Sequence, residues 1–168
     1  MSEIKRTRAP STSLRGQLFD HIDSHGPGAS TEHITEILRI LRLPECTVGL
    51  KGSAFVRCYE QKKLDLAKLF LANGVFDKDE WQLQCCYRLD KELRMMPFDM
   101  ERIQFLLDSG ITLEDDFATG IAELYYVAEA HAVDLKMVFG VVRMFIQAGL
   151  DPNRPLGGKM TTLGQRFQ

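Results

Sequence analysis

The chain has 168 residues, of which 45% are hydrophobic and 26% are charged, and its formal net charge is −2. This length and balance predict one soluble globular domain, residues 12–168, with a core of its own. The near-neutral charge excludes a general attraction to nucleic acid or to anionic membranes, although residues 1–11 are predicted to be a flexible basic tail.

The chain shows neither a signal-peptide pattern nor an apolar run of about 18 residues, the length of a membrane span. We therefore expect a cytoplasmic protein, or one delivered into a host cytosol without a cleaved Sec signal. The chain has four cysteines, Cys46, Cys58, Cys85 and Cys86, and they form no C-x-x-C motif. Cys85 and Cys86 are neighbours on a predicted helix, so their side chains point about 100° apart. That spacing suits neither a disulfide framework nor a zinc site, so the sequence predicts reduced and mostly buried thiols.

The apolar spacing predicts helices along the whole chain. The stripe from Leu14 to Ile22 marks a first helix that stops before residues 25–28, and the stripe from Ile34 to Leu41 marks a second that Pro44 ends. Three further pairs are predicted at 53–61 and 65–73, 79–94 and 99–109, and 114–131 and 134–148. No segment alternates between polar and apolar residues, so the fold class is all-α.

Three of these helices end in one repeated pattern, which closes at Gly74, Gly110 and Gly149, 36 and 39 residues apart. The glycine supplies the left-handed residue that ends each helix. Apolar residues recur seven, four and three positions before it and one position after it. They are Ala67, Phe70, Leu71 and Val75; Ile103, Leu106, Leu107 and Ile111; and Val142, Phe145, Ile146 and Leu150. The offsets predict one buried stripe on each helix.

The helix starts repeat as well. Asp65, Asp99 and Asp134 each stand between apolar residues. An Asp at the N-cap accepts hydrogen bonds from unpaired backbone N–H groups and favours the positive helix end. We therefore predict that all three cap their helices.

These repeated residues resemble the second helices of ankyrin repeats, over roughly residues 50–168. The most specific stretch is Gly149-Leu150-Asp151-Pro152-Asn153, which is similar to the consensus Gly-Ala-Asp-Pro-Asn. Thr161 and Leu163 then stand at the offsets of Thr and Leu in the consensus Thr-Pro-Leu-His, while Thr162 and Gly164 depart from it. The turns after Gly74 and Gly110 are also too short for a full finger loop, and other helical arrays, HEAT-like or TPR-like, remain the alternatives.

The resemblance implies a solenoid of about four antiparallel helix pairs with a partial C-terminal repeat. A partial repeat leaves an apolar edge, so either the chain is cut from a longer array or Leu163 and Phe167 cap the last pair. It also implies a non-enzymatic module that binds another protein through its concave face. Such a module would serve as the recognition domain of a bacterial effector or as an inhibitor or immunity protein. No cofactor is expected. The predicted contact residues are Trp81, Tyr87, Arg88, Tyr125 and Tyr126. Tyr and Arg are favoured contact residues, and adjacent helix positions cannot both be buried. Trp81 opens its helix and could be either an anchor or a core residue.

Three histidines provide the alternative function. His21 and His25 are four residues apart on the first helix, and His33 follows a short turn. Imidazoles at this spacing could share a metal ion, which would make the chain a small metal-dependent or catalytic helical protein. No catalytic motif accompanies them, so we expect no metal and assign no catalytic residue.

Overall fold

The computed structural model describes residues 13–26, 31–113, 124 and 134–151. These ranges contain α-helices and no strand, which confirms the all-α prediction. The bounds are α1 Leu14–Ser24, α2 Thr31–Leu41, α3 Val48–Glu60, α4 Leu64–Ala72, α5 Lys78–Leu93, α6 Met100–Asp108 and α7 Leu135–Gln147. The predicted tail 1–11 lies outside the described residues, as does the predicted helix 114–131, apart from Leu124. No described helix is long and apolar enough to cross a bilayer.

The chain divides into two compact units, one ending at Asp77 and the other beginning at Lys78. In the first unit, α1 packs on α2 and α3, and α3 packs on α4. All four helices contribute side chains with at most 1% of their surface exposed. These include Leu18, Ile22, Ile37, Ile40, Phe55, Leu66 and Phe70.

Helix α3 begins five residues before its predicted start. The Thr47 hydroxyl accepts a hydrogen bond from the Leu50 N–H at 3.2 Å, and this cap starts the helix at Val48. The helix therefore runs through Gly49 and Gly52, which disfavour helix by themselves. Burial of Ala54, Phe55 and Cys58 on the same helix offsets that cost.

In the second unit, α5 packs on α6, and α6 packs on α7. The approach of α6 and α7 is close at Gly140, where an added Cβ would lie 3.2 Å from the Met100 methyl carbon. The buried stripe of α7 consists of Val138, Val141, Val142 and Phe145. A carboxylate is also buried in this unit: Glu92 on α5 lies 3.6 Å from the guanidinium of Arg102 on α6.

The three glycines end their helices as predicted. Gly74, Gly110 and Gly149 have φ angles of 63°, 73° and 102°. After α4, the Gly74 N–H donates to the Leu71 carbonyl and the Val75 N–H donates to the Phe70 carbonyl, both at 3.0 Å. The same two bonds recur after α7, and this pairing is the Schellman motif.

A fourth helix ends in the same way without a glycine. Lys62, which follows α3, has a φ of 57°. Its N–H donates to the Tyr59 carbonyl at 3.1 Å, and the Lys63 N–H donates to the Cys58 carbonyl at 2.9 Å. The α3–α4 turn is therefore a Schellman motif whose left-handed residue is a lysine.

Burial follows the predicted stripe at three of its four positions. The residues seven and four before each glycine, and those one after it, are at most 9% exposed. The position three before the glycine differs: Leu107 is buried, but Leu71 and Ile146 are 37% and 40% exposed. The prediction of one shared stripe was wrong for these two residues, because a helix buries only the sector that a neighbouring element covers.

Two of the three predicted Asp caps are confirmed. The Asp99 carboxylate accepts from the Arg102 N–H at 3.3 Å, and the Asp134 carboxylate accepts from the Lys136 N–H at 2.9 Å. The prediction for Asp65 was wrong. Helix α4 begins at Leu64 with Lys63 at the N-cap and no side-chain cap bond, because the tight turn at Lys62 starts the helix early enough to place Asp65 inside the first turn.

Candidate functional site

The outward face of α5 carries the two most exposed large apolar side chains among the described residues. Leu83 is 68% exposed and Tyr87 is 64% exposed, and they stand one helical turn apart. The opposite face holds the helix in this orientation, because Trp81, Cys85 and Leu89 are all at most 4% exposed. We call the surface formed by Leu83, Tyr87 and Arg88 the α5 patch.

The start of α5 is fixed by hydrogen bonds to the segment that follows α6. The Trp81 indole N–H donates to the Ser109 carbonyl at 3.2 Å. The Gln82 amide donates to the Thr112 carbonyl at 2.7 Å and accepts from the Thr112 N–H at 2.8 Å. This paired bonding sets the rotation of α5, and hence the direction in which Leu83 and Tyr87 point.

Trp81 is therefore a core residue. It is only 4% exposed and its indole nitrogen is satisfied internally, so it offers no contact surface to a partner. Trp81, which is among the predicted contact residues, thus packs in the core, and its hydrogen bond helps to fix the start of α5.

Arg88 supports the exposed tyrosine. Its guanidinium carbon lies 5.3 Å from the centroid of the Tyr87 ring, within the range of a cation–π contact. Arg88 is half-buried, whereas Tyr87 is exposed, which confirms that only one of the two adjacent residues faces fully outward. The contact restricts the ring without covering it.

A charged pair borders the patch toward the end of the helix. Arg94 Nε and Asp90 Oδ2 are 3.0 Å apart, and a second bond of 3.0 Å makes the pair bidentate. Both side chains are more than half exposed, so the pair adds little stability, roughly 0.3–0.5 kcal/mol. An apolar centre beside a solvated charged rim is the arrangement found in protein interfaces.

Helix α7 carries a second exposed apolar stripe. Leu135, Phe139 and Ile146 are 40–45% exposed, and their spacings of four and seven residues place them on one side of the helix. The predicted contacts Tyr125 and Tyr126 lie outside the described residues. So do Leu163 and Phe167, which are predicted to cap this region.

The structure brings two of the three histidines together. The Nδ1 atoms of His21 on α1 and His33 on α2 are 3.4 Å apart. Burial, reinforced by the charges of Lys63 and His33, lowers the pKa of His25. Across the described ranges, no group of three or more His, Cys, Asp or Glu residues is placed to hold a metal ion.

The buried cysteines are not activated. Burial raises the pKa of the Cys58 and Cys85 thiols to about 12, and it also raises that of Cys46. A thiol that stays protonated at neutral pH is a poor nucleophile and a poor metal ligand. These residues therefore serve the core, where Cys58 and Cys85 are fully buried.

Sequence reasoning selected Tyr87 and Arg88 as candidate contact residues but did not select Leu83. The signal was present in the sequence, because Leu83 and Tyr87 are four residues apart on the side of α5 opposite the Trp81, Cys85 and Leu89 stripe. Comparison of the chain with protein-family models, with curated proteins and with solved structures yields no match.

Proposed function

We propose that this protein is a non-enzymatic module that binds another protein, and that the α5 patch is a principal contact. The observation that carries the proposal is the exposure of Leu83 and Tyr87, 68% and 64%, on a helix whose other face is firmly buried. When a partner covers an apolar side chain that is this exposed, the free energy falls by about 25 cal/mol per Å² of apolar surface buried.

The chemistry of the α5 patch fits recognition of a folded protein surface. Tyrosine and arginine are over-represented among residues that dominate binding energy. The Arg88 contact restricts the Tyr87 ring, so less side-chain freedom is lost when a partner binds. Because the patch lies on a helix braced by Trp81 and Gln82, its geometry is set before binding.

The architecture we propose for this module is an ankyrin-like array. Its support is the recurrence of one helix ending, with a left-handed glycine and a buried apolar residue after it, at Gly74, Gly110 and Gly149. In such an array α5 would be a first helix, and first helices face the concave side. Effector recognition and inhibition of a toxin or enzyme are the two roles that such a surface could serve.

The test is site-specific photo-crosslinking in cells. A photoreactive phenylalanine replaces Tyr87 in one variant and the exposed Lys68 of α4 in the control. We expect a discrete crosslinked protein from position 87 and none from position 68. Equal products from both positions, or none from position 87, would overturn the proposal.

Binding of the captured partner then gives the energetic test. Leu83→Ala and Tyr87→Ala should each raise the dissociation constant at least tenfold, which corresponds to a loss of about 1.4 kcal/mol of binding free energy. Lys68→Ala, at the exposed control position on α4, is the control and should bind within about twofold of wild type. Surface substitutions of this kind change stability by about 0.5 kcal/mol or less, so a loss of binding would not reflect unfolding.

A further inference from the structure

Two imidazoles from different helices of the first unit face each other through the same ring nitrogen. The Nδ1 atoms of His21 on α1 and His33 on α2 are 3.4 Å apart. The ring centroids are 5.5 Å apart and the ring planes are inclined by 65°. Both residues are half-buried.

The separation of the two nitrogens fits shared coordination of one ion as well as a long hydrogen bond between the rings. Zinc–imidazole bonds are about 2.0–2.1 Å long, and two such bonds at a tetrahedral angle place their nitrogens about 3.4 Å apart. For comparison, N–H···O hydrogen bonds are roughly 2.7–3.2 Å long between the heavy atoms. We propose that His21 and His33 form a two-imidazole site for a divalent transition-metal ion, with Zn²⁺ as the representative, which joins α1 to α2.

The ligand type sets the class of metal. Imidazole nitrogen suits Zn²⁺, Cu²⁺ and Ni²⁺, whereas Mg²⁺ and Ca²⁺ prefer oxygen ligands. Coordination through Nδ1 requires each ring to carry its proton on Nε2 when the ion is bound. Two protein ligands leave the remaining positions to water, and binding is therefore weaker than at a closed structural zinc site.

The nearby carboxylate of Glu36 is committed elsewhere. It accepts from the Arg39 Nε at 2.8 Å and from a second guanidinium nitrogen at 2.7 Å. That hydrogen bonding lowers the pKa of Glu36, and the charge of His21 lowers it further. The carboxylate is thus paired with the positive charge of Arg39 and is not assigned as a ligand of the ion.

His25 is the matched control for the pair. It follows His21 by four residues, at the C-cap of α1, and its Nδ1 is buried without a hydrogen-bond partner among the described residues. Because no three-ligand group occurs in the described ranges, His25 is not placed with His21 and His33 around one ion. Replacing it changes the local histidine content but leaves the pair intact.

Isothermal titration of the full chain with Zn²⁺ tests the proposal. The wild type should bind one ion in a saturable way, with a dissociation constant below about 1 mM. His21→Ala and His33→Ala should each weaken binding at least tenfold, the double variant should lose little more, and His25→Ala should bind as wild type. His21→Gln repeats the test with a bulkier side chain if the alanine variant unfolds, and far-UV circular dichroism monitors folding.

Three outcomes would overturn the proposal: no saturable Zn²⁺ binding, an effect of His25→Ala as large as that of His21→Ala, or Mg²⁺ binding of equal strength. The site makes no use of the α5 patch, so its failure would leave the binding proposal intact, and the reverse also holds.

Discussion

The left-handed glycine that ends α4 gives the sharpest test of the repeated helix ending. Gly74 has a φ of 63°, and a Cβ added there would meet no atom within 4 Å. Gly74→Ala therefore tests the energy of the left-handed backbone conformation, because the added methyl group makes no new packing contact. A left-handed alanine costs about 1–2 kcal/mol, and the lower entropy of the unfolded chain offsets about 0.4–1 kcal/mol of this. We expect the free energy of unfolding to fall by about 1 kcal/mol.

The same substitution at Gly49 should act in the opposite direction. Gly49 lies within α3, and an added Cβ would come no closer than 3.9 Å to the Thr47 hydroxyl. Alanine is favoured over glycine in a helix by up to about 1 kcal/mol, so Gly49→Ala should raise the free energy of unfolding. Lys62→Gly provides the reciprocal test, because it relieves a left-handed lysine and should stabilise by up to about 1 kcal/mol.

Urea denaturation followed by far-UV circular dichroism measures all three variants, with the free energy extrapolated to water. If Gly74→Ala and Gly49→Ala shifted the midpoint in the same direction, the conformational argument would fail. A destabilised Lys62→Gly variant would contradict the assignment of a left-handed residue after α3.

Three further outcomes follow from the caps, the thiols and the surface ion pairs. Asp134→Ala removes the hydrogen bond to the Lys136 N–H and should cost about 1 kcal/mol in urea denaturation. Cys58 and Cys85, whose pKa values are raised to about 12 by burial, should resist a thiol reagent at pH 8 until the chain unfolds, as followed by mass spectrometry. The Arg57 hydrogen bond lowers the pKa of Asp23, so Asp23→Asn should lose stability at pH 7, by less than about 1 kcal/mol because the carboxylate is solvated.

Each of these outcomes has its own control. Asp65→Ala is the control for Asp134→Ala, because Asp65 lies in the first turn of α4 and makes no cap bond. It should cost only a few tenths of a kcal/mol through the helix dipole. A loss of stability as large as that of Asp134→Ala would contradict the capping argument. Rapid labelling of Cys85 in the native protein would refute its burial. The lowered pKa of Asp23 stabilises the fold above its unfolded value of about 3.9, and that contribution disappears as the pH falls through the folded value. The free energies of unfolding of the wild type and Asp23→Asn should therefore become equal in acid. A difference in stability that persisted at low pH would have another cause.

Much of the fold could be predicted from local sequence, and the candidate site only in part. The helix ends at Gly74, Gly110 and Gly149 followed from short-range chemistry, because a left-handed residue and an apolar successor end a helix wherever they occur. Tyr87 and Arg88 could be selected because adjacent helix positions cannot both be buried. Leu83 was not selected, although the Trp81, Cys85 and Leu89 stripe on the opposite side of α5 indicates that it faces outward.

Equivalent positions before the three closing glycines show most clearly which burial local sequence determines and which burial tertiary packing determines. The sequence by itself determined that the positions four before each closing glycine, Phe70, Leu106 and Phe145, would be buried, and all three are 0% exposed. Only the tertiary structure decided that Leu107 is buried while Leu71 is not, because burial depends on which element packs opposite.

The polar side chains divide in the same way. The cap at Asp134 depends on the backbone of its own first turn, and a local pattern was sufficient to predict it. The Trp81 hydrogen bond to Ser109 and the approach of His21 to His33 join residues 28 and 12 positions apart. Such contacts exist only after the helices have packed, because helix packing sets the distance between them.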